Sequence, residues 1–264
     1  MTADPTMKLK LKPVIMLVHG AWHTPEYWFL VKDRLEEAGY DVLAPRLPSV
    51  CGPETVNFSW RSDVATVLDH ATPLFAAGRN VVIVGHSYGG SVVTNAVPGN
   101  TVRERAAKGL KGGFSAVVYI CAFPVVQRDT PCVTGEHHGY YSCAEPQKGN
   151  SFSMRIHPGQ EPFYNDLPED EAKKWEGKLQ WQSQRSFEEP YAWCAQDLSA
   201  LDVPLAYLYC EKDLAVPPPV QDFFIRHLPK MTVERCPAGH SPMISQPEQT
   251  TGFILKAVEA VVVL

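Results

Sequence analysis

The sequence has no apolar run approaching the roughly 20 residues needed to cross a bilayer. Its opening stretch, MTADPTMKLKLKP, lacks both a long apolar segment and a small-residue cleavage site. No membrane association and no secretory leader are therefore expected, and cytoplasmic residence is. Positive charge is not in excess: 24 Lys and Arg against 29 Asp and Glu leave a net charge of -5, so no basic face is offered to nucleic acid. The 7 cysteines, at 51, 121, 132, 143, 194, 210 and 236, are odd in number and form no C-x-x-C, which argues against a disulfide framework and a zinc knuckle. Cys121 and Cys210 lie in apolar strand patterns and read as buried free thiols, whereas Cys132 and Cys143 share a loop-like stretch in which pairing under oxidation stays open. Neither G-x-G-x-x-G nor G-x-x-x-x-G-K-[ST] occurs, so no dinucleotide or nucleoside triphosphate is indicated. H-E-x-x-H is missing too, and the adjacent His137 and His138 point apart; neither a metal nor a cofactor is expected.

What is present centres on Val81-Val82-Ile83-Val84-Gly85-His86-Ser87-Tyr88-Gly89-Gly90. Four β-branched residues suit a strand buried on both faces, Gly85 to Gly89 matches G-x-S-x-G, and Ser91 to Ala96 can continue as a helix. Strand, sharp turn and helix together lift a serine hydroxyl above the sheet edge. A hydroxyl is a weak nucleophile near neutral pH; it needs an imidazole to take its proton and a carboxylate to fix that imidazole's tautomer. Asp213 and His240 both follow apolar strand patterns, in the chain order Ser, Asp, His. Ser87, Asp213 and His240 are accordingly the catalytic candidates. Asp129 and Glu211 are rival carboxylates. The backbone N–H groups of Ala21 and Tyr88 are the candidate oxyanion donors, and His19 reads as a loop-packing residue rather than a base. Trp22, His23, Tyr88, Phe123, Trp175 and Trp181 are candidate pocket walls.

Around that centre, apolar runs at Val14–Val18, Asp41–Pro45, Ser115–Cys121, Pro204–Cys210 and Met231–Cys236 alternate with amphipathic stretches, which predicts an α/β fold. Its sheet has about six mostly parallel strands with helices on both faces. The stretch Ser59–Ala77 predicts a helix with Val64, Val67, Leu68 and Leu74 inward. Residues 124–203 break the rhythm with Pro, Gly, His and aromatics and include a predicted helix over Pro168–Gln184. A structureless insert of that length is implausible, so the chain divides into core (1–123), a mainly helical lid (124–203) and core again (204–264). The lid's aromatics predict an apolar, ring-tolerant pocket beneath it.

His19-Gly20-Ala21-Trp22, Gly85-His86-Ser87-Tyr88-Gly89-Gly90, the Asp213 loop and Gly239-His240 resemble the α/β-hydrolase superfamily, and more narrowly its small branch of methylesterases and hydroxynitrile lyases, with related fungal and bacterial serine hydrolases. The resemblance implies a cofactor-free serine hydrolase, a carboxylesterase or lactonase, acting on a small apolar or aromatic ester or lactone as monomer or homodimer. The lyases of that branch carry threonine where this chain has Gly20 and lysine where it has Ser241. Without that ammonium, a departing cyanide is poorly stabilised, which favours ester cleavage. A lyase or carbon-carbon hydrolase using the same site and a non-catalytic ligand receptor on the same scaffold remain the alternatives.

Overall fold

A computed structural model describes residues 11–52, 55, 57–131, 144–147, 150–156, 162–228 and 230–262. Cys132, Cys143, His137 and His138 fall outside the described residues. Strand β1 (Val14–Val18), buried throughout, leads through a 3-10 turn (Pro25–Trp28) into α1 (Phe29–Glu37). Then come β2 (Val42–Leu43), β3 (Val50–Cys51), α2 (Trp60–Ala76), β4 (Asn80–His86), α3 (Gly89–Ala96), α4 (Val102–Ala107) and β5 (Gly113–Ile120). The next segment holds β6 (Ala144–Gln147), β7 (Asn150–Ile156), α5 (Glu169–Glu176), β8 (Trp181–Ser183), α6 (Arg185–Glu188) and α7 (Ala195–Ala200). The chain closes with β9 (Leu205–Cys210), α8 (Pro218–Arg226), β10 (Thr232–Cys236), α9 (Pro242–Ser245) and α10 (Pro247–Val262).

Six strands form the main sheet in the order β10-β9-β5-β4-β1-β2, and every neighbouring pair is parallel. Apart from Asn80 and Ser115, β4 and β5 are wholly buried; because successive side chains point to opposite faces, both faces must be covered. The register pairs Val18 with Gly85, His86 with Ile120, Ile120 with Leu208 and Cys210 with Cys236, so the strands finish level with one another. The loops after β1, β4, β9 and β10 therefore open on one rim, where ligand sites of parallel sheets sit.

A second, four-stranded sheet runs β3-β8-β7-β6 with antiparallel pairing. Among the described residues, the segment 124–203 thus carries three strands that its sequence did not signal, besides three short helices. The helix expected over Pro168–Gln184 ends at Glu176, and Trp181–Ser183 is a strand instead, because Gln182 pairs with Val50 on one side and Met154 on the other. Tertiary pairing overrides local pattern there. The buried stripe of α2 is Trp60, Asp63, Val67, Ala71 and Phe75; of the expected set only Val67 is fully buried, while Val64, Leu68 and Leu74 are half-buried.

The elbow between β4 and α3 allows no side chain at Gly89, where a Cβ would sit 2.5 Å from the Val18 carbonyl oxygen. At Gly252 in α10 a Cβ meets nothing within 4 Å. Urea unfolding is expected to show Gly89→Ala destabilised by about 1–3 kcal/mol through overpacking. Gly252→Ala is expected to gain up to about 1 kcal/mol from helix propensity.

Candidate active site

Ser87 directly follows β4 in the left-handed region, with φ 52, a conformation that a serine holds only when its surroundings fix it. Its N–H donates to the Ile120 carbonyl (3.2 Å), and its own carbonyl accepts from the N–H groups of Gly90 (2.9 Å) and Phe123 (3.1 Å). The turn expected of G-x-S-x-G is therefore formed, with the serine at its crest.

Asp213 follows β9, and its Oδ1 accepts from the N–H groups of Ala215 (2.8 Å) and Val216 (2.7 Å). Its Oδ2 faces His240 Nδ1 at 2.8 Å, and the two side chains are 0% and 1% exposed. A carboxylate that accepts from Nδ1–H leaves Nε2 as the ring's free base. Among the described residues His240 Nε2 is buried without a hydrogen-bond partner, and no bond from Ser87 Oγ reaches it. Such contacts are often long in a free enzyme and tighten with substrate. The His240 carbonyl is held from below by His86 Nε2 (2.8 Å) and by the Cys121 thiol (3.4 Å). His86, Cys121 and His240 bring potential metal-ligating atoms within 4.8 Å of one another, and two of the three side chains already donate to that carbonyl.

The loop after β1 is built around neutral imidazoles. Leu47 N–H donates to His19 Nε2 (3.1 Å), so Nδ1 carries the proton that it gives to the Gly20 carbonyl (2.9 Å). That carbonyl belongs to the peptide whose N–H is Ala21's. No peptide bond among the described residues is cis, so the Ala21 N–H points away from His19. His23 Nδ1 holds the Ala21 carbonyl at 2.6 Å and its Nε2 accepts from the Tyr164 hydroxyl at 3.1 Å. Trp22 follows with φ 60, its N–H on Gln182 Oε1 at 3.3 Å.

The rings of Trp22 and Tyr88 meet Phe187, at 5.6 and 5.4 Å, and Phe163 lies 5.9 Å from Trp22, 5.1 Å from His23 and 5.4 Å from His240. Three of the expected pocket residues thus share one aromatic cluster with the imidazole. Phe123 instead packs on Phe224, Trp175 on Tyr27 and Phe29, and Trp181 is half-buried opposite Cys51 in the second sheet. Asp129 is an exposed turn residue with φ 57, and Glu211 is exposed 4.0 Å from Arg235. The sequence reading missed Phe163, and it missed Asp166, whose Oδ2 accepts the Gly239 N–H at 2.6 Å. It also missed Gln182 and Asp63, the acceptor of the Tyr88 hydroxyl. Only Asp63 left a signal, as an acid on the apolar stripe of a helix.

The α/β hydrolase family model matches residues 15–252, and the chain belongs to that family. It is 29% identical to an α/β hydrolase of Aspergillus novofumigatus over 94% of this chain and 97% of that one. Methylesterase 1 of Arabidopsis thaliana is 25% identical over 95% of this chain and 97% of its own length. A pyrethroid hydrolase from Sphingobium faniae superposes with TM-score 0.73 at 21% identity, covering 96% of this chain and 99% of that one, a likeness of fold. The expected α/β-hydrolase fold with its six-stranded parallel sheet and the resemblance to the methylesterase branch are borne out. No helix among the described residues is long and apolar enough to cross a membrane.

Burial lowers the His19 pKa to about 4 and the His23 pKa to about 3, and holds His86 well below its usual 6.5. All three stay neutral at pH 7, so none of them places an imidazolium beside His240. Unfolded imidazoles bind protons below pH 6.5 whereas these do not until about 4 or lower, so the unfolded state is favoured as pH falls through that window. Asp63, raised by burial from 3.8 to about 6, opposes them with one proton of the other sign. Urea-unfolding free energy is expected to fall between pH 6.5 and 4. In His19→Asn the slope is expected to be shallower by about 1.4 kcal/mol per pH unit, the weight of one proton.

Proposed function

We propose that this chain is a serine hydrolase that cleaves a carboxylic ester or lactone through an acyl-enzyme. The observation that carries the reading is the buried Asp213–His240 hydrogen bond of 2.8 Å, set on the same rim as a serine with φ 52. Ser87 Oγ attacks the acyl carbon while His240 Nε2 takes its proton. The Asp213 carboxylate holds the ring and offsets the imidazolium's charge. The carbonyl oxygen gains negative charge, which the N–H groups of Ala21 and Tyr88 receive. His240 returns the proton to the leaving alcohol, and a water molecule, deprotonated in the same way, releases the acid and restores Ser87.

Segment 124–203 acts in this reading as the cover. Ser87 is 3% exposed and His240 0%, so a substrate reaches them by displacing side chains that cover them, and Phe163 against His240 and Phe187 against Tyr88 belong to that cover. The walls suit an apolar or aromatic ester, and the name of the methylesterase relative supports ester cleavage. A lyase with threonine in place of Gly20 has no counterpart here: a Cβ at that position would lie 2.9 Å from His86 Nδ1 and 3.0 Å from Ser87 Cβ. Ser241, fully buried, brings no charge where a lyase would have lysine.

A fluorophosphonate probe is expected to label the parent protein at Ser87. Ser87→Ala is expected to lose labelling and at least about 1,000-fold of its p-nitrophenyl acetate hydrolysis, as for a lost nucleophile. Hydrolysis by Ser87→Ala at the parent rate would end the proposal. With an ester in oxygen-18 water, the label is expected in the released carboxylate, and turnover that forms no labelled carboxylate would favour a lyase instead.

A further inference from the structure

Beneath the rim lies a buried polar chain that the triad does not use. Asp63, 0% exposed on α2, accepts at Oδ1 from the Ser49 N–H (3.0 Å) and at Oδ2 from the Ser49 hydroxyl (2.6 Å) and the Tyr88 hydroxyl. Ser49 Oγ in turn accepts from Gln182 Nε2 at 3.1 Å, and Gln182 Oε1 receives the Trp22 N–H at 3.3 Å. Ser49, Asp63 and Gln182 are all fully buried. A buried carboxyl is costly unless its hydrogen bonds are met, and an apolar residue on the α2 stripe would avoid that cost. The position of the chain's two ends suggests what it secures. One end is the residue directly after the nucleophile, and the other directly follows Ala21.

We infer that Asp63 is a positioning residue: through Tyr88 on one side and Ser49 and Gln182 on the other, it braces the two backbone donors of the oxyanion hole at a fixed separation. The inference rests on the serine-hydrolase reading and adds a part that the triad does not supply. Neither donor sits in regular secondary structure. Ala21 precedes Trp22, whose φ of 60 is held only by its surroundings, and Tyr88 is the N-cap residue of α3, just outside the helix. The inserted segment contributes Gln182, which makes the geometry of the donor pair depend on the cover being in place. Burial raises the Tyr88 hydroxyl pKa well above its usual value, aided by the neighbouring Asp63, so Tyr88 remains a donor throughout the working pH range.

The test uses the full chain with p-nitrophenyl acetate and with a trifluoromethyl ketone, whose carbonyl oxygen becomes the hemiketal oxyanion when Ser87 Oγ adds to it. Tyr88→Phe and Gln182→Leu are each expected to lower kcat by about tenfold or more with KM within about twofold, because misplaced donors act on the transition state alone. Trifluoromethyl ketone affinity is expected to fall in parallel. Since both variants open one brace, the double variant is expected to lose little more than the worse single one. Asp63→Asn, which keeps one of the two acceptor oxygens, is expected to retain more kcat than Asp63→Ala. If Asp63→Ala fails to fold, Tyr88→Phe and Gln182→Leu decide the matter. Unchanged kcat and ketone affinity in those two, a loss confined to KM, or fully additive losses would overturn the inference while leaving the serine mechanism standing. Activity surviving Ser87→Ala would instead remove the reading on which it rests.

Discussion

A carboxylate and an imidazole withdrawn from water destabilise a fold unless each finds its partner, and the arrangement of this molecule follows from meeting that demand at one place. Asp213 takes three donors: two backbone N–H groups of its own loop and the Nδ1–H of His240. The His240 backbone is secured separately, by His86 and Cys121 below its carbonyl, and the Gly239 N–H is held by Asp166. Low local dielectric strengthens every one of these bonds and makes any loss among them expensive.

The parallel sheet provides the level rim on which such convergence is possible. Strands β1, β4, β9 and β10 deliver their loops to one end, so residues far apart in sequence meet without long side chains having to reach. The second sheet ties the inserted segment to the core through β3 and β8, and Phe163, Asp166 and Gln182 carry that attachment down to the imidazole and to the loop after β1. Neutral His19 and His23 then use their tautomers as fixed donors, shaping the loop without adding charge.

Much of this was legible in the residue order. Runs such as Val81–Val84 announce strands buried on both faces, and Gly85, Ser87 and Gly89 at their spacing announce a strained turn, because the close approach of Gly89 to the Val18 carbonyl tolerates no other residue. The Asp213–His240 pairing followed from chain order and position after strands. What stayed hidden depends on tertiary partners. Trp181–Ser183 has no strand signal strong enough to separate it from the preceding helix; only Val50 and Met154 make it one. Phe163 and Asp166 lie in a stretch without periodicity, so nothing in the sequence marks them as neighbours of His240. Asp63 was visible as an acid among apolar positions, but its partners were not, since Ser49, Tyr88 and Gln182 come from three separate parts of the chain.

The central claim is that an acyl group passes through covalent attachment to Ser87. Rapid mixing with a p-nitrophenyl ester, followed by acid quench and mass analysis of the Ser87 peptide, tests it most directly. The account predicts a burst of p-nitrophenol matched by that peptide carrying the mass of the acyl group. Turnover with no burst and an unmodified Ser87 peptide at every time point, in protein that Asp213→Asn leaves equally active, would contradict it.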